Sequence, residues 1–143
     1  MKPILLATDG SPSAEAATLR AIELARTFGA PLVVASVAQA DLHAVEYEHV
    51  ARTLAETQKR VVAAGGTCTT VALDGPAGVE ICQAAREHSP RLIVIGAHGW
   101  GRMGRLLHGS VSTFVLHHAE CPVLVVHADG PSPAAVPATA AAG

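Results

Sequence analysis

The chain has 143 residues, a formal net charge of −2, and 50% hydrophobic but only 3% aromatic side chains. That length suits one domain with a full core, and the composition requires that core to be built from Val, Leu, Ile and Ala. With no basic surplus and almost no aromatic stacking platform, nucleic acid is not an expected partner.

The N-terminal run PILLATD (3–9) reads as a short buried strand, stopped by Asp9-Gly10-Ser11-Pro12, a turn and helix-start signal. The segment 13–29 then places Ala17, Ala21, Leu24, Ala25 and Phe28 on one helical face, and Gly29 with Pro31 closes it. PLVVASV (31–37) is a second strand, and 38–43 a linker. A helix over 44–64 follows, with Val50, Leu54, Val61 and Val62 apolar and Arg52, Glu56, Lys59 and Arg60 facing solvent. TCTTVAL (67–73) is a third strand. Asp74-Gly75-Pro76 turns into a helix over 77–88 with Val79, Ile81, Ala84 and Ala85 inward. RLIVIG (91–96) is a fourth strand, 110–119 a last helix, and PVLVVH (122–127) a last strand.

This βαβαβαβαβ order predicts an open, doubly wound α/β domain, a parallel sheet with helices on both faces. In such sheets ligands bind beyond the carboxyl ends of the strands, at the switch point of strand order. The domain is expected over 1–127. Residues 128–143, ADGPSPAAVPATAAAG, are Pro/Ala-rich and read as a flexible tail. No stretch approaches the ~18 apolar residues of a membrane span, and the apolar N-terminal run is too short for a signal peptide. Cys68, Cys82 and Cys121 form no CxxC pair and read as small buried hydrophobes in a reducing compartment. The expected location is therefore cytoplasmic.

The segment GAHGWGRMGRLLHGS (96–110) holds five glycines, two arginines and two histidines. A Walker A loop would need its lysine, and the only lysines are Lys2 and Lys59. Gly99-Trp100-Gly101-Arg102-Met103-Gly104 spells a dinucleotide fingerprint, but RLLHG separates it from the next helix. The spacing Gly96-x2-Gly99-x9-Gly109-Ser110 fits a phosphate cradle better. Gly96 ends a strand, where a ligand could approach bare backbone. Gly109-Ser110 starts a helix whose N–H groups favour an anion, and Ser110 and Ser112 could add hydroxyl donors. Arg102 and Arg105 lie between, and no Asp or Glu occurs from His88 to Ala119. His98 could donate to phosphate or be a plain loop histidine; Trp100 could lid the site or pack on a neighbour. His117 and His118 point ~100° apart on a helix and do not jointly suit one metal.

G-x2-G-x9-G-[ST] resembles the nucleotide-binding signature of the universal stress protein family. The likeness extends over about residues 2–127, through ILLATDGSPSAEAA, GPAGVEICQAAREHSPRLIVIGAHG and GSVSTFVLHHAECPVLVV. It implies a five-stranded sheet of order 3-2-1-4-5, with ATP binding in one branch and its loss in another. By position, the resemblance implies that Asp9 contacts the adenosine portion, with Ala7 and Thr8 at the same strand end, and that the Val37 backbone contacts adenine. Gly96, Gly99, Gly109 and Ser110 match the signature, and Val111 and Ser112 continue the phosphate-facing helix start.

Ala7, Thr8, Asp9, Val37, Gly96, His98, Gly99, Arg102, Gly109, Ser110, Val111 and Ser112 are thus the expected nucleotide site. ATP, or ADP or AMP, is the expected ligand, and Mg²⁺ would be met by Asp9 through water. The leading reading is an ATP-binding regulatory stress protein with at most slow hydrolysis, a homodimer through the strand at 122–127. The alternatives are a nucleotide-free dimeric adaptor and a nucleotide-processing enzyme. No nucleophile elbow or H-E-x-x-H motif supports the last.

Overall fold

The computed structural model describes residues 1–38, 44–97 and 109–128. Within them strands and helices alternate: β1 (Ile4–Ala7), α1 (Pro12–Phe28), β2 (Leu32–Ala38), α2 (Ala44–Ala63), β3 (Cys68–Asp74), α3 (Ala77–His88), β4 (Leu92–Gly96), α4 (Ser110–His118) and β5 (Val123–Val126). The strands form one parallel sheet of order β3-β2-β1-β4-β5. Order and elements agree with the sequence reading; β1 stops earlier, at Ala7 rather than Asp9. The tail beyond Ala128, the linker at 39–43 and the loop at 98–108 lie outside the described residues.

Period-two alternation sorts the apolar strands between two helix layers. Ile4 and Leu6 of β1, with Leu32 and Val34 of β2, pack under α1 and α2 through Ala17, Ala21, Val50, Leu54 and Val61. Leu5 and Ala7, with Val33, Ala35, Ile93 and Ile95, pack under α3 and α4 through Ile81, Cys82, Ala85 and Val115. Ile4, Leu5 and Leu6 are completely buried, and each such side chain contributes about 1.5–3 kcal/mol relative to exposure. Alanines on the inner face of α1 let that helix lie close on the sheet.

Three residues expected in the core lie outside it. Phe28 is 44% exposed, because the last turn of α1 runs past the sheet; its ring instead takes the Arg91 guanidinium at 4.2 Å. Val62 is 59% exposed, since Val61 already holds the stripe and the next residue is turned by ~100°. Thr53 and Thr57 fill the stripe instead, and Thr57 returns its hydroxyl to Thr53 O at 2.7 Å. Val79 is 43% exposed. The inner residue there is Gly78, against which the Phe114 ring of α4 packs so closely that a Cβ would lie 2.6 Å from it.

Candidate functional site

β1, β2 and β4 end side by side: Ala7 is level with Ala35 on one side and with Ile95 on the other. The connection after β1 leads towards β2 and the one after β3 crosses back to β4, so the order switches between β1 and β4. At that point the chain leaving β1 forms a tight, internally bonded turn. Thr8 N donates to Ala35 O at 2.9 Å, Gly10 N to Thr8 Oγ1 at 3.2 Å, and Ser11 N to Asp9 Oδ1 at 2.9 Å. The last contact is an Asx turn. Gly10 takes a φ of +79°, a backbone state that favours glycine.

α1 follows at once, and Ser11 caps it, its Oγ accepting from Ala14 N at 3.3 Å. Pro12 occupies the next position and has no N–H to offer. The start of α1 is therefore largely satisfied from within the chain.

The start of α4 differs. Its N-cap is Gly109, which has no side chain to cap with, and its first turn holds no acid. Gly109 N donates to Ala97 O, and Thr113 N closes the first helical bond on Gly109 O at 3.0 Å. Among the described residues nothing caps the N–H groups of Ser110, Val111 and Ser112, which form an open first turn at the positive end of the helix dipole. Ser112 is buried, and its hydroxyl lies 3.1 Å from both Ala97 O and Gly109 O. The hydroxyl proton is thus held within the fold. Ser112 ties the helix start to the end of β4, while Ser110 is exposed.

Gly96 has a structural reason that the sequence did not reveal. A Cβ there would lie 3.0 Å from Ser13 C, O and Oγ on the first turn of α1. The missing side chain lets β4 and α1 approach, rather than simply baring backbone to a ligand. The same contact gathers the β4 end, the α1 start and, through Ala97, the α4 start. Val37 sits half-buried near the end of β2, packed on the α3/α4 side. Ala7, Thr8, Asp9, Val37, Gly96, Gly109, Ser110, Val111 and Ser112 therefore all stand at the carboxyl ends of the strands. His98, Gly99, Arg102, Trp100 and Arg105 lie outside the described residues.

Sequence reading missed the α2 contribution. His49 Nε2 meets Asp9 O at 2.7 Å, and a Cβ on Gly10 would lie 3.0 Å from Thr53 Oγ1. Helical spacing places His49 and Thr53 on one face, but nothing local says which turn they meet. At the rim, the Tyr47 hydroxyl donates to Asp74 Oδ2 at 2.8 Å, which raises the phenol above its ordinary range.

Other reactive groups stand apart from this site. Burial raises the thiols of Cys68, Cys82 and Cys121, the last also through the nearby Cys82, so none is poised as a thiolate. The His118 ring stacks on Phe114 at 4.0 Å, with Nδ1 2.9 Å from Phe114 O. Among the described residues no group of three or more His, Cys, Asp or Glu could hold a metal. A cleft of about 450 Å³ opens at the opposite end of the sheet, lined by Ala25, Gly29, Leu32, Val61 and Gly65 among others. The carbonyl ends of α1 and α2 face that cleft, which disfavours an anion there.

The open doubly wound sheet, with a helix start at its switch point, places the chain in the class of α/β folds whose ligand sites, where present, lie at the strand carboxyl ends. The family model described as "Universal stress protein family" matches residues 1–127, and the chain belongs to that family. It is 32% identical over 142 residues to the universal stress protein Rv2624c of Mycobacterium tuberculosis, covering 94% of this chain and 51% of that protein. The chain thus spans about half the length of the mycobacterial relatives it matches. Universal stress protein UspA from Lactobacillus plantarum superposes with a TM-score of 0.80 at 26% identity, over 87% of this chain and 97% of that one. A universal stress protein in complex with cAMP superposes with a TM-score of 0.73 at 26% identity, over 90% and 98%. No helix among the described residues is long and apolar enough to cross a membrane.

Proposed function

We propose that this chain binds an adenine nucleotide, ATP with Mg²⁺ foremost, at the carboxyl ends of β1, β2 and β4. Its role would be regulatory, in a cytoplasmic stress response, with at most slow hydrolysis. The observation that carries the reading is the contrast between two neighbouring helix starts. α1 is capped by its own Ser11, whereas α4 presents an open first turn behind a glycine with no acid beside it. An anion is the natural partner of such a turn. The similar protein that holds cAMP supports an adenine nucleotide as that anion.

In this reading the N–H groups of Ser110, Val111 and Ser112 receive phosphate, and the Ser110 hydroxyl adds a donor. Asp9 and the Val37 backbone take the adenosine portion. His98, Gly99 and Arg102 complete the phosphate side, as the glycine spacing suggests. Gly96 and Ser112 hold the frame. A metal caged by protein ligands does not fit the described residues. Mg²⁺ fits as an ion brought by the phosphates and met by the Asp9 carboxylate through water.

Calorimetry with millimolar ATP·Mg on verified nucleotide-free protein tests this. Saturable heat is expected, and weaker heat with EDTA present. A flat titration removes the reading and favours the nucleotide-free adaptor. Turnover in the range of ordinary enzymes, on the order of 10 s⁻¹, would favour a nucleotide-processing enzyme.

We also propose that the chain is a homodimer through β5. Both sheet edges are strands, but they differ in chemistry. β3 carries Thr69, Thr70, Ala72 and Asp74, whereas β5 is Val123, Leu124, Val125 and Val126, all half-buried. An apolar edge without charge or proline invites pairing.

A further inference from the structure

We infer that His49 is a positioning residue for the ligand, acting through Asp9; this rests on the nucleotide reading above. Forty residues separate the two in sequence, yet His49 Nε2 lies 2.7 Å from Asp9 O. A carbonyl oxygen only accepts, so Nε2 carries the proton. Thr53 Oγ1 is 3.5 Å from the same nitrogen, too far to compete for that proton.

Asp9 is consequently held both at its carboxylate and at its carbonyl. Ser11 N fixes its carboxylate and His49 fixes its carbonyl. The peptide that follows belongs to Gly10, whose φ of +79° would otherwise let it swing. α2 packs close on this turn: a Cβ on Gly10 would stand 3.0 Å from Thr53 Oγ1 and 3.5 Å from the His49 ring. A rotation of the Asp9–Gly10 peptide would swing the carbonyl off His49 and alter the Asx geometry through which Ser11 N holds the carboxylate. His49 therefore converts a turn built on a permissive glycine into one with a single carboxylate direction. It does so from the helix that follows β2, the strand that carries Val37.

Two substitutions separate positioning from mere packing. His49→Leu keeps bulk without a donor; His49→Gln places an amide N–H where Nε2 stood. Each is made with Asp9 and with Asp9→Ala, and ATP·Mg affinity is read by calorimetry beside thermal melts. His49→Leu is expected to weaken binding by about tenfold, one hydrogen bond's worth, and His49→Gln to recover most of it. With Asp9→Ala, His49→Leu should cost nothing further. Unchanged binding in His49→Leu, an equal loss in both backgrounds, or a folded His49→Gln no better than His49→Leu would each overturn the role. Imidazole ¹⁵N spectra of the ligand-free wild type give a separate readout. A proton on Nε2 is expected; a neutral ring protonated on Nδ1 overturns the His49 inference while leaving the nucleotide reading intact. A wild type that binds no adenine nucleotide removes both.

Discussion

Two glycines of the signature look alike in sequence and differ in their surroundings. Gly96 is a packing glycine, because a Cβ would press on the Ser13 backbone at 3.0 Å. Gly109 has φ −75° and ψ 167°, angles that any residue adopts, so no left-handed turn explains it. We predict that the two substitutions part company. Gly96→Ala should cost about 1–3 kcal/mol of stability through overpacking, seen as a lower midpoint in urea. Gly109→Ala, compared on folded protein, should lose ATP affinity by roughly tenfold or more, because a Cβ beside the open turn displaces a phosphate from a charge-assisted contact. Ser110→Ala, lacking only an exposed hydroxyl, should weaken binding less than Gly109→Ala. A folded Gly109→Ala protein that binds ATP normally would place the phosphates elsewhere.

At the scale of elements, a side-chain bond joins α2 to β3 at the rim of the candidate site. Tyr47 donates to Asp74, and the phenol is raised first by that hydrogen bond, then by desolvation and the carboxylate charge. A raised folded value means that the contact favours the neutral phenol. Its contribution to stability is complete below the ordinary value of 10.0 and is lost as pH rises through the folded value. Tyr47 is the chain's only tyrosine, so absorbance at 295 nm follows it alone. The midpoint is expected above 10.0, and Asp74→Asn should bring it down. A wild-type midpoint at or below 10.0 would show that the bond does not persist in solution. The bond also anchors the first turn of α2, the helix that brings His49 to Asp9.

For the whole molecule, the sheet has two edges and one of them is chemically exposed to pairing. β5 offers four consecutive aliphatic residues on the outer side of β4. A two-fold contact along such a strand satisfies both copies with the same surface. Val125→Asp places a charge in the middle of that edge. Sizing with light scattering should show a dimer for the wild type and a monomer for the variant, both folded by circular dichroism. A wild type that is monomeric at micromolar concentration would end this proposal. Dimerisation does not decide between nucleotide binding and a nucleotide-free adaptor; calorimetry does.

What the sequence determined by itself is what depends on neighbours along the chain. Alternating apolar strands and helices, the Ser11-Pro12 helix start and Gly29 at the end of α1 are local signals, and each element formed within a few residues of its expected bounds. The glycine spacing marked the strand end and helix start that the fold brings together. Tertiary structure decided what depends on distance through space. Phe28, Val62 and Val79 are apolar and near the right helical phase, yet they miss the core because the sheet ends or another residue already holds the stripe. Gly78 matters only because Phe114 lies over it, and Gly96 only because Ser13 does. His49 meets Asp9 only because α2 crosses the β1 turn. Local propensity carries information across a turn of helix or a reverse turn. A contact between residues forty positions apart depends on how whole elements pack, and no periodicity in the chain encodes it.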